Sequence, residues 1–599
     1  SGSTITDFAT GTPVYDFFGG AFLGAPVFGS ALGDKVRDSE NFLVKGTYYL
    51  STRGLGTHNL VAGFDEFTNS LLEDNSQSGS DFMIYTFSDP QRVNGFVQPT
   101  FSFGDYIIYW PILQRSLGND FTTTSFFVND KWDLNAKWSM NVGVRYDQNE
   151  GVDQAGAKVA DDEIVTPRLG VTYDAFGNGR LRFNATYGGY ASKIANGNIG
   201  DAASPAGSPS LLYWAYGGPD ITGLPTDQAL AQMWEWFQSE GGIDNLGSIF
   251  TGEGWLIGGG TSGIATQIRE RLESPTMNEF TVGASTVIGR RGYARIDYQH
   301  REWDNFYGNV QRLDTGTAFD PLRGGNVRVA LVENVDDLTR EYDAVLLQAG
   351  FQISPRLTLG GNYTWSETIG NAVGETAGSG PVASTGADFQ PELLNYAQRN
   401  PIGFLPADQT HKLRAWATYD QPTPFGNFNF SVLQRFDTGT PFSAIGLIDV
   451  HQREDCPQCP ANPGYGSAVS TDNFYYFSER GEFRWDDVTA TDFALNYNLP
   501  ISGLELFVQA EVLNLFDESA QVGGNTTVLT LNNGCVQGAN GPDPGEPCLA
   551  FNPFTETPVE GIHYQLGSNF GEPRNPTTLL TQGDFQLPRT YRFSVGFRF

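Results

Sequence analysis

Apolar and polar residues alternate in stretches of about ten along much of the chain, the period of a strand with two unlike faces. In Lys137 to Asp147 (KWSMNVGVRYD), Trp138, Met140, Val142, Val144 and Tyr146 share one face. Ser139, Asn141, Gly143, Arg145 and Asp147 take the other. Val165 to Asp174 repeats the pattern, with Val165, Leu169, Val171 and Tyr173 opposite Thr166, Arg168 and Thr172. After the turn AFGNG, Leu181 to Tyr187 places Arg182, Asn184 and Thr186 on the polar face. The same reading predicts paired strands at Phe42–Ser51 with Asn59–Phe67, Phe126–Trp132 with Lys137–Asp147, and Glu279–Ile288 with Tyr293–Trp303. It continues with Glu341–Ile353 and Leu357–Trp365, His411–Tyr419 and Phe428–Phe436, and Val488–Leu499 and Leu504–Phe516. Seven hairpins and a closing strand, Arg589–Phe599, make 15 strands.

The turns within hairpins are short, whereas the connections between them are long: roughly 70–118, 193–275, 307–340, 369–408, 438–484 and 517–587. Short turns on one rim and long loops on the other are the layout of an outer-membrane barrel. Soluble sandwiches seldom sustain loops of that length. The expected fold is therefore all-β, a transmembrane antiparallel barrel with its apolar face toward lipid and its polar face toward a wet lumen. Arg145, Arg168, Arg182, Arg414, Arg592 and Arg598 fall on lumen-facing positions. No apolar run reaches the length of a membrane helix; Tyr106–Leu113 (YIIYWPIL) is the nearest and contains a proline.

Composition adds little against this picture and removes several rivals. The 13% aromatic content and 72 glycines suit aromatic bands and loop-rich β-structure. A formal charge of −32 argues against nucleic acid as a partner, since phosphate repels such a surface. Five scattered histidines (58, 300, 411, 451, 563) and the lack of HExxH, GxSxG or GxxxxGK[ST] motifs leave no catalytic cluster, so no enzyme and no bound cofactor is expected. His411 opens a strand at the outer rim and is expected to make a rim hydrogen bond. Asp74 to Asp81 (DNSQSGSD) imitates the start of a calcium loop through Asp74, Ser76, Ser78 and Asp81, but Tyr85 stands where the closing glutamate belongs. Ca²⁺ in the outer loops is thus a weak candidate and a polar loop the simpler reading. Cys456, Cys459, Cys535 and Cys548 form two local pairs within loops, which fits two disulfides in an oxidising compartment better than one zinc site. Thr226 to Ser239 reads as a loop helix, with Leu230, Met233, Trp234 and Phe237 on one face. Apolar stretches such as Asp105 to Pro111 suggest further strands above the membrane. Trp214, Trp234, Trp236 and Trp255 suit packing of tall loops, with ligand stacking as the alternative.

Several motifs resemble those of one family. Phe507–Asp517 (FVQAEVLNLFD) is similar to the N-L-F signature before the last strand of TonB-dependent outer-membrane transporters. Thr438–Phe442 (TGTPF) and Asp408–Leu413 (DQTHKL) resemble later barrel strands of the Oar-like branch. Phe127–Leu134 (FVNDKWDL) followed by WSMNVGVRYD is similar to its mid-barrel hairpin. Tyr591, Phe593, Val595, Phe597 and Phe599 resemble the terminal barrel-assembly signal. The resemblance spans about residues 40–599 and implies a 22-strand barrel of which these 15 are the eighth to the last. Residues 1–40 would be an extracellular loop segment and 41–599 the C-terminal barrel portion. The plug, the TonB box and the first strands are not found, so a companion polypeptide or a missing N-terminal region is expected to supply them, and with them TonB coupling. The implied function is uptake across the bacterial outer membrane, with lipid around the wall and a peptide or oligosaccharide as ligand. A surface-exposed binding, adhesion or structural barrel without active transport is the alternative.

Overall fold

A computed structural model describes residues 7–17, 20–25, 35–73, 78–93, 95–194, 203–207, 210–245, 255–373, 389–465, 472–501, 504–531, 548–574 and 581–598. Fifteen long strands follow one another in chain order through a single antiparallel sheet. They are β1 (Lys35–Thr52), β2 (Gly56–Glu73), β3 (Asn119–Asp133), β4 (Trp138–Val152) and β5 (Lys158–Asp174). Next come β6 (Leu181–Ala191), β7 (Thr276–Ile288), β8 (Gly292–Asp304), β9 (Arg340–Ser354) and β10 (Leu357–Gly370). The last are β11 (His411–Thr423), β12 (Gly426–Asp437), β13 (Val488–Ile501), β14 (Leu504–Leu513) and β15 (Thr590–Arg598). A two-residue strand, Gly403–Phe404, pairs with the outer end of β10 and brings the sheet to 16. All fifteen strands and all seven hairpins expected from the alternation are present.

The outer ends differ from expectation. β1 and β2 each hold 18 residues and β5 holds 17. At about 3.3 Å per residue an 18-residue strand is close to 60 Å long, about twice the hydrocarbon core. β1 starts at Lys35, ahead of the expected boundary at 41. The segment expected as loop contains a helical turn at Phe8–Gly11 and strands at Pro13–Asp16 and Ala21–Gly24.

The register keeps like residues in rows. Val142 faces Leu169, Leu169 faces Tyr187 and Tyr187 faces Phe280. Arg145 faces Thr166 on one side and Phe127 on the other. Burial along these rows is inverted relative to a water-soluble sheet. Val165 is 64% and Phe593 76% exposed, whereas Ser125 is 0% and Asp147 6%. Leaving such an apolar band in water would forgo roughly 25 cal/mol per Å2, so its natural surroundings are hydrocarbon.

Above the long sheet the outer connections build a cap. Six short strands form a second sheet in the order Leu256–Gly260, Leu211–Ala215, Tyr106–Tyr109, Phe82–Thr86, Pro13–Asp16, Ala21–Gly24. The helix at Thr226–Ser239 has the bounds expected from Pro225 before it and Gly241-Gly242 after it. It buries Ala229, Leu230, Met233, Trp236 and Phe237 against that sheet. Trp214 lies in the same core, Trp255 packs on its margin, and Trp234 stacks on Phe8 with ring centroids 4.4 Å apart. These four tryptophans therefore serve packing.

Candidate functional site

Two layers carry the chemistry: the polar face of the long sheet and the rim where the cap joins it. On the polar face, strand geometry puts ionic groups from neighbouring strands side by side. Arg145 reaches Asp147 (Nε to Oδ1, 2.7 Å), Asp65 (Nη2 to Oδ2, 3.3 Å) and the Ser125 hydroxyl (2.7 Å). Ser125 in turn donates to Asp147 at 2.6 Å. Arg414 grips Asp437 with two nitrogens, each 2.8 Å from an oxygen. Arg182 lies 3.8 Å from Asp174, and Arg598 lies 3.3 Å from Glu505. Arg168 stands over the Tyr190 ring at 4.2 Å. Arg592 sits opposite Glu511 in the β14–β15 register. Arginine and carboxylate alternate across this wall, which leaves it hydrophilic while cancelling much of its charge.

Sequence reasoning omitted further members of the wall. Arg295 pairs with Asp297 (2.5 Å), Arg301 with Glu279 (2.7 Å) and Arg435 with Asp492 (3.1 Å). Each sits in an expected strand on its polar face, so the alternation already contained the signal.

At the outer rim, the family-like motifs meet in space. Asp408 of DQTHKL is 0% exposed and accepts from Thr368 N (2.8 Å), Thr410 Oγ1 (3.2 Å) and Arg484 Nη2 (2.7 Å). The other Arg484 nitrogen donates to Gly439 O of TGTPF at 3.0 Å. Thr438 Oγ1 accepts from His411 N at 2.9 Å, and Phe442 stacks on Trp485 at 3.9 Å. Position 439 requires glycine, since a Cβ there would lie 1.8 Å from Trp485 O. His411 Nδ1 is 2.7 Å from the Tyr363 hydroxyl, the rim hydrogen bond expected of it. Asn514 of NLF takes φ 52° and turns the chain out of β14. Its side chain accepts from Glu518 N (2.9 Å) and donates to Leu587 O (3.1 Å), tying the exit of β14 to the entry of β15. Scattered in sequence, DQTHKL, TGTPF and Arg484 form one clasp between strands and cap, and NLF makes a second tie at the ends of β14 and β15.

The remaining candidates fall as follows. Cys456 and Cys459 form a disulfide with Cα atoms 5.3 Å apart. Cys548 is buried, and Cys535 lies outside the described residues. The Ser78 hydroxyl donates to Phe82 O (2.7 Å) and accepts from Trp110 Nε1 (3.3 Å), while Asp74 and Ser76 lie outside the described residues. The Asp81 carbonyl accepts from Trp110 N at 3.0 Å. Among the described residues no cluster of three His, Cys, Asp or Glu side chains is arranged to hold a metal. Tyr591, Phe593, Val595 and Phe597 project from one exposed face of β15; Phe599 lies outside the described residues.

The sequence model described as "TonB dependent receptor-like, beta-barrel" matches residues 6–515. The chain belongs to that family, and so to the β-barrels of the bacterial outer membrane. It is 22% identical over 503 residues to the TonB-dependent transporter Oar of Myxococcus xanthus, covering 80% of this chain and 43% of that protein. Among solved structures, the outer membrane transporter YddB from Escherichia coli is 14% identical with TM-score 0.49, covering 86% of this chain and 55% of that one. BauA, the ferric preacinetobactin receptor from Acinetobacter baumannii, is 9% identical with TM-score 0.44, covering 82% and 51%. The chain thus spans about half the length of the relatives it matches.

Proposed function

We propose that the chain forms the larger part of the wall, and the ligand-capturing cap, of a TonB-dependent importer. The observation that carries this reading is the ion-paired polar face lying beneath a cap that has its own apolar core. A wall that only had to hold a protein in the membrane could be filled with apolar or small side chains. A wall of paired charges keeps a passage wet and lets a solute slide without a deep electrostatic trap.

Among the described residues β1 pairs only with β2, and β15 only with β14. Unpaired backbone groups cannot face hydrocarbon, so these edges need further strands. In this reading a neighbouring segment, in the same polypeptide or a companion, closes the barrel and carries the plug through which TonB delivers energy. The ligand is a short peptide.

Accumulation of a fluorescent tripeptide by cells carrying the intact protein tests the function. Accumulation should stop when an uncoupler collapses the proton gradient, while surface binding persists. Uptake that ignores the uncoupler sinks the importer; binding without any uptake supports a surface receptor or adhesin instead.

A further inference from the structure

Two cavities meet in the cap above β10–β13. One, of about 700 Å3, is lined by Gln398, Ile402, Tyr475, Phe477 and Pro558 among others. The second, of about 370 Å3, is lined by Thr440, Phe442, Trp485 and Arg574 among others. Phe404, Tyr476 and Arg480 belong to the walls of both. The larger is of the size that holds small organic ligands.

Arg480 is the anomaly. Its neighbours Arg484 and Arg574 each have a carboxylate partner, Asp408 and Asp584 respectively. Arg480 is 5% exposed, and the groups it donates hydrogen bonds to are neutral. Nη2 donates to Asn400 Oδ1 at 2.5 Å, Nη1 donates to Asn371 O at 3.4 Å, and the guanidinium lies 4.8 Å from the Tyr476 ring centroid. Its Nε is buried without an acceptor. Asn400 Nδ2, whose partner oxygen holds Arg480, is likewise buried and without an acceptor. Two donors without acceptors thus sit together at a cation that has no carboxylate partner among the described residues. In a chain of formal charge −32 a carboxylate could easily have been placed here, and among the described residues none forms an ion pair with Arg480. A buried cation is costly unless an anion and hydrogen bonds compensate it.

The remaining walls define the ligand further. Aromatic and aliphatic groups dominate, which suits an apolar side chain. Glu479 and Glu482 also line the larger cavity, but both are exposed, so negative charge stands toward solvent and positive charge at depth. That polarity matches a zwitterion entering carboxylate first and disfavours a phosphate dianion, for which one guanidinium is poor compensation. We propose that the Arg480 cavity binds the C-terminal carboxylate of an apolar peptide, with Arg480 as the group that holds it and Asn400 as the residue that positions Arg480 from behind. This deepens, and rests on, the reading of the cap as a ligand-capturing surface.

The test is calorimetric titration of the intact outer-membrane protein in detergent with the tripeptide Ala-Phe-Phe, its C-terminal amide and inorganic phosphate. The free acid should bind tighter than the amide by about tenfold or more, the usual scale for a charge-assisted hydrogen bond. Phosphate at equal concentration should not displace it. Asn400→Asp supplies an internal counter-ion: the variant should fold, show a raised unfolding temperature and lose the preference for acid over amide. Equal binding of acid and amide, no binding of either, displacement by phosphate, or an unchanged preference in Asn400→Asp would each overturn the proposal. Acid-selective binding without accumulation in cells would sink the import reading alone and leave this site standing.

Discussion

Asp408 shows how much one side chain can organise at the rim. Its carboxylate holds β10 through Thr368 N, its own turn through Thr410, and Arg484 from the strand that precedes β13. Removing it would leave Arg484 beside Gly439 O without a counter-charge. For a partly buried pair broken on one side the loss is about 3–5 kcal/mol. Asp408→Ala should therefore lower the urea midpoint of the cap, read by tryptophan fluorescence through Trp485, by a corresponding amount. An unchanged midpoint would mean that the clasp is ornamental. Arg414 is different in kind: both its nitrogens meet Asp437 within the wall, and the charges cancel locally rather than bridging layers.

At the scale of elements, the helix Thr226–Ser239 and its sheet form a unit with a core of their own. Phe237 meets Trp214 with ring centroids 5.0 Å apart and Phe82 at 5.9 Å. Phe237→Ala should cost about 3–5 kcal/mol of cap stability. Protease cleavage within residues 203–260 should rise while the far-ultraviolet strand signal of the long sheet stays put; a joint loss of both would show that cap and wall unfold as one. This helix was legible because proline and a glycine pair mark its ends and its apolar face repeats at 3.6 residues. The fifteen wall strands were legible because lipid on one side and water on the other force strict alternation. Where β2 to β5 rise above the membrane, one face packs under the outer loops, with Phe121, Val159 and Ala160 in a core beside Tyr307 and Val332, and polar residues such as Asn119, Thr123 and Asn149 are buried there too. Stretches such as Asn119–Thr124 and Gln148–Val152 therefore lack the lipid-and-water contrast, so the strand ends were missed. The six-stranded cap sheet was mostly hidden, apart from the Asp105–Pro111 stretch. Its strands come from segments far apart in sequence, and pairing over such distances leaves no local period. The motifs DQTHKL, TGTPF and NLF were visible as resemblance, but the clasp of the first two through Arg484, and the unmatched Arg480, required the fold.

For the whole molecule the decisive feature is the pair of sheet edges, β1 and β15, that have one partner each among the described residues. The barrel reading predicts that the 599-residue chain, expressed alone, fails to give the heat-modifiable, fast-migrating band of a closed barrel in cold detergent electrophoresis. Supplying the neighbouring strands on a second polypeptide should restore it. A closed, heat-modifiable species from this chain alone would require β1 and β15 to pair with each other and would remove the need for any companion.

The strand Pro13–Asp16 runs parallel to Phe82–Thr86, with Val14, Tyr15 and Asp16 in register beside Ile84, Tyr85 and Thr86. A pull along that strand would load these rungs together, in shear, rather than unzip them singly. The cap would then answer such a force as a latch does, stiff against small loads and yielding all at once beyond a threshold.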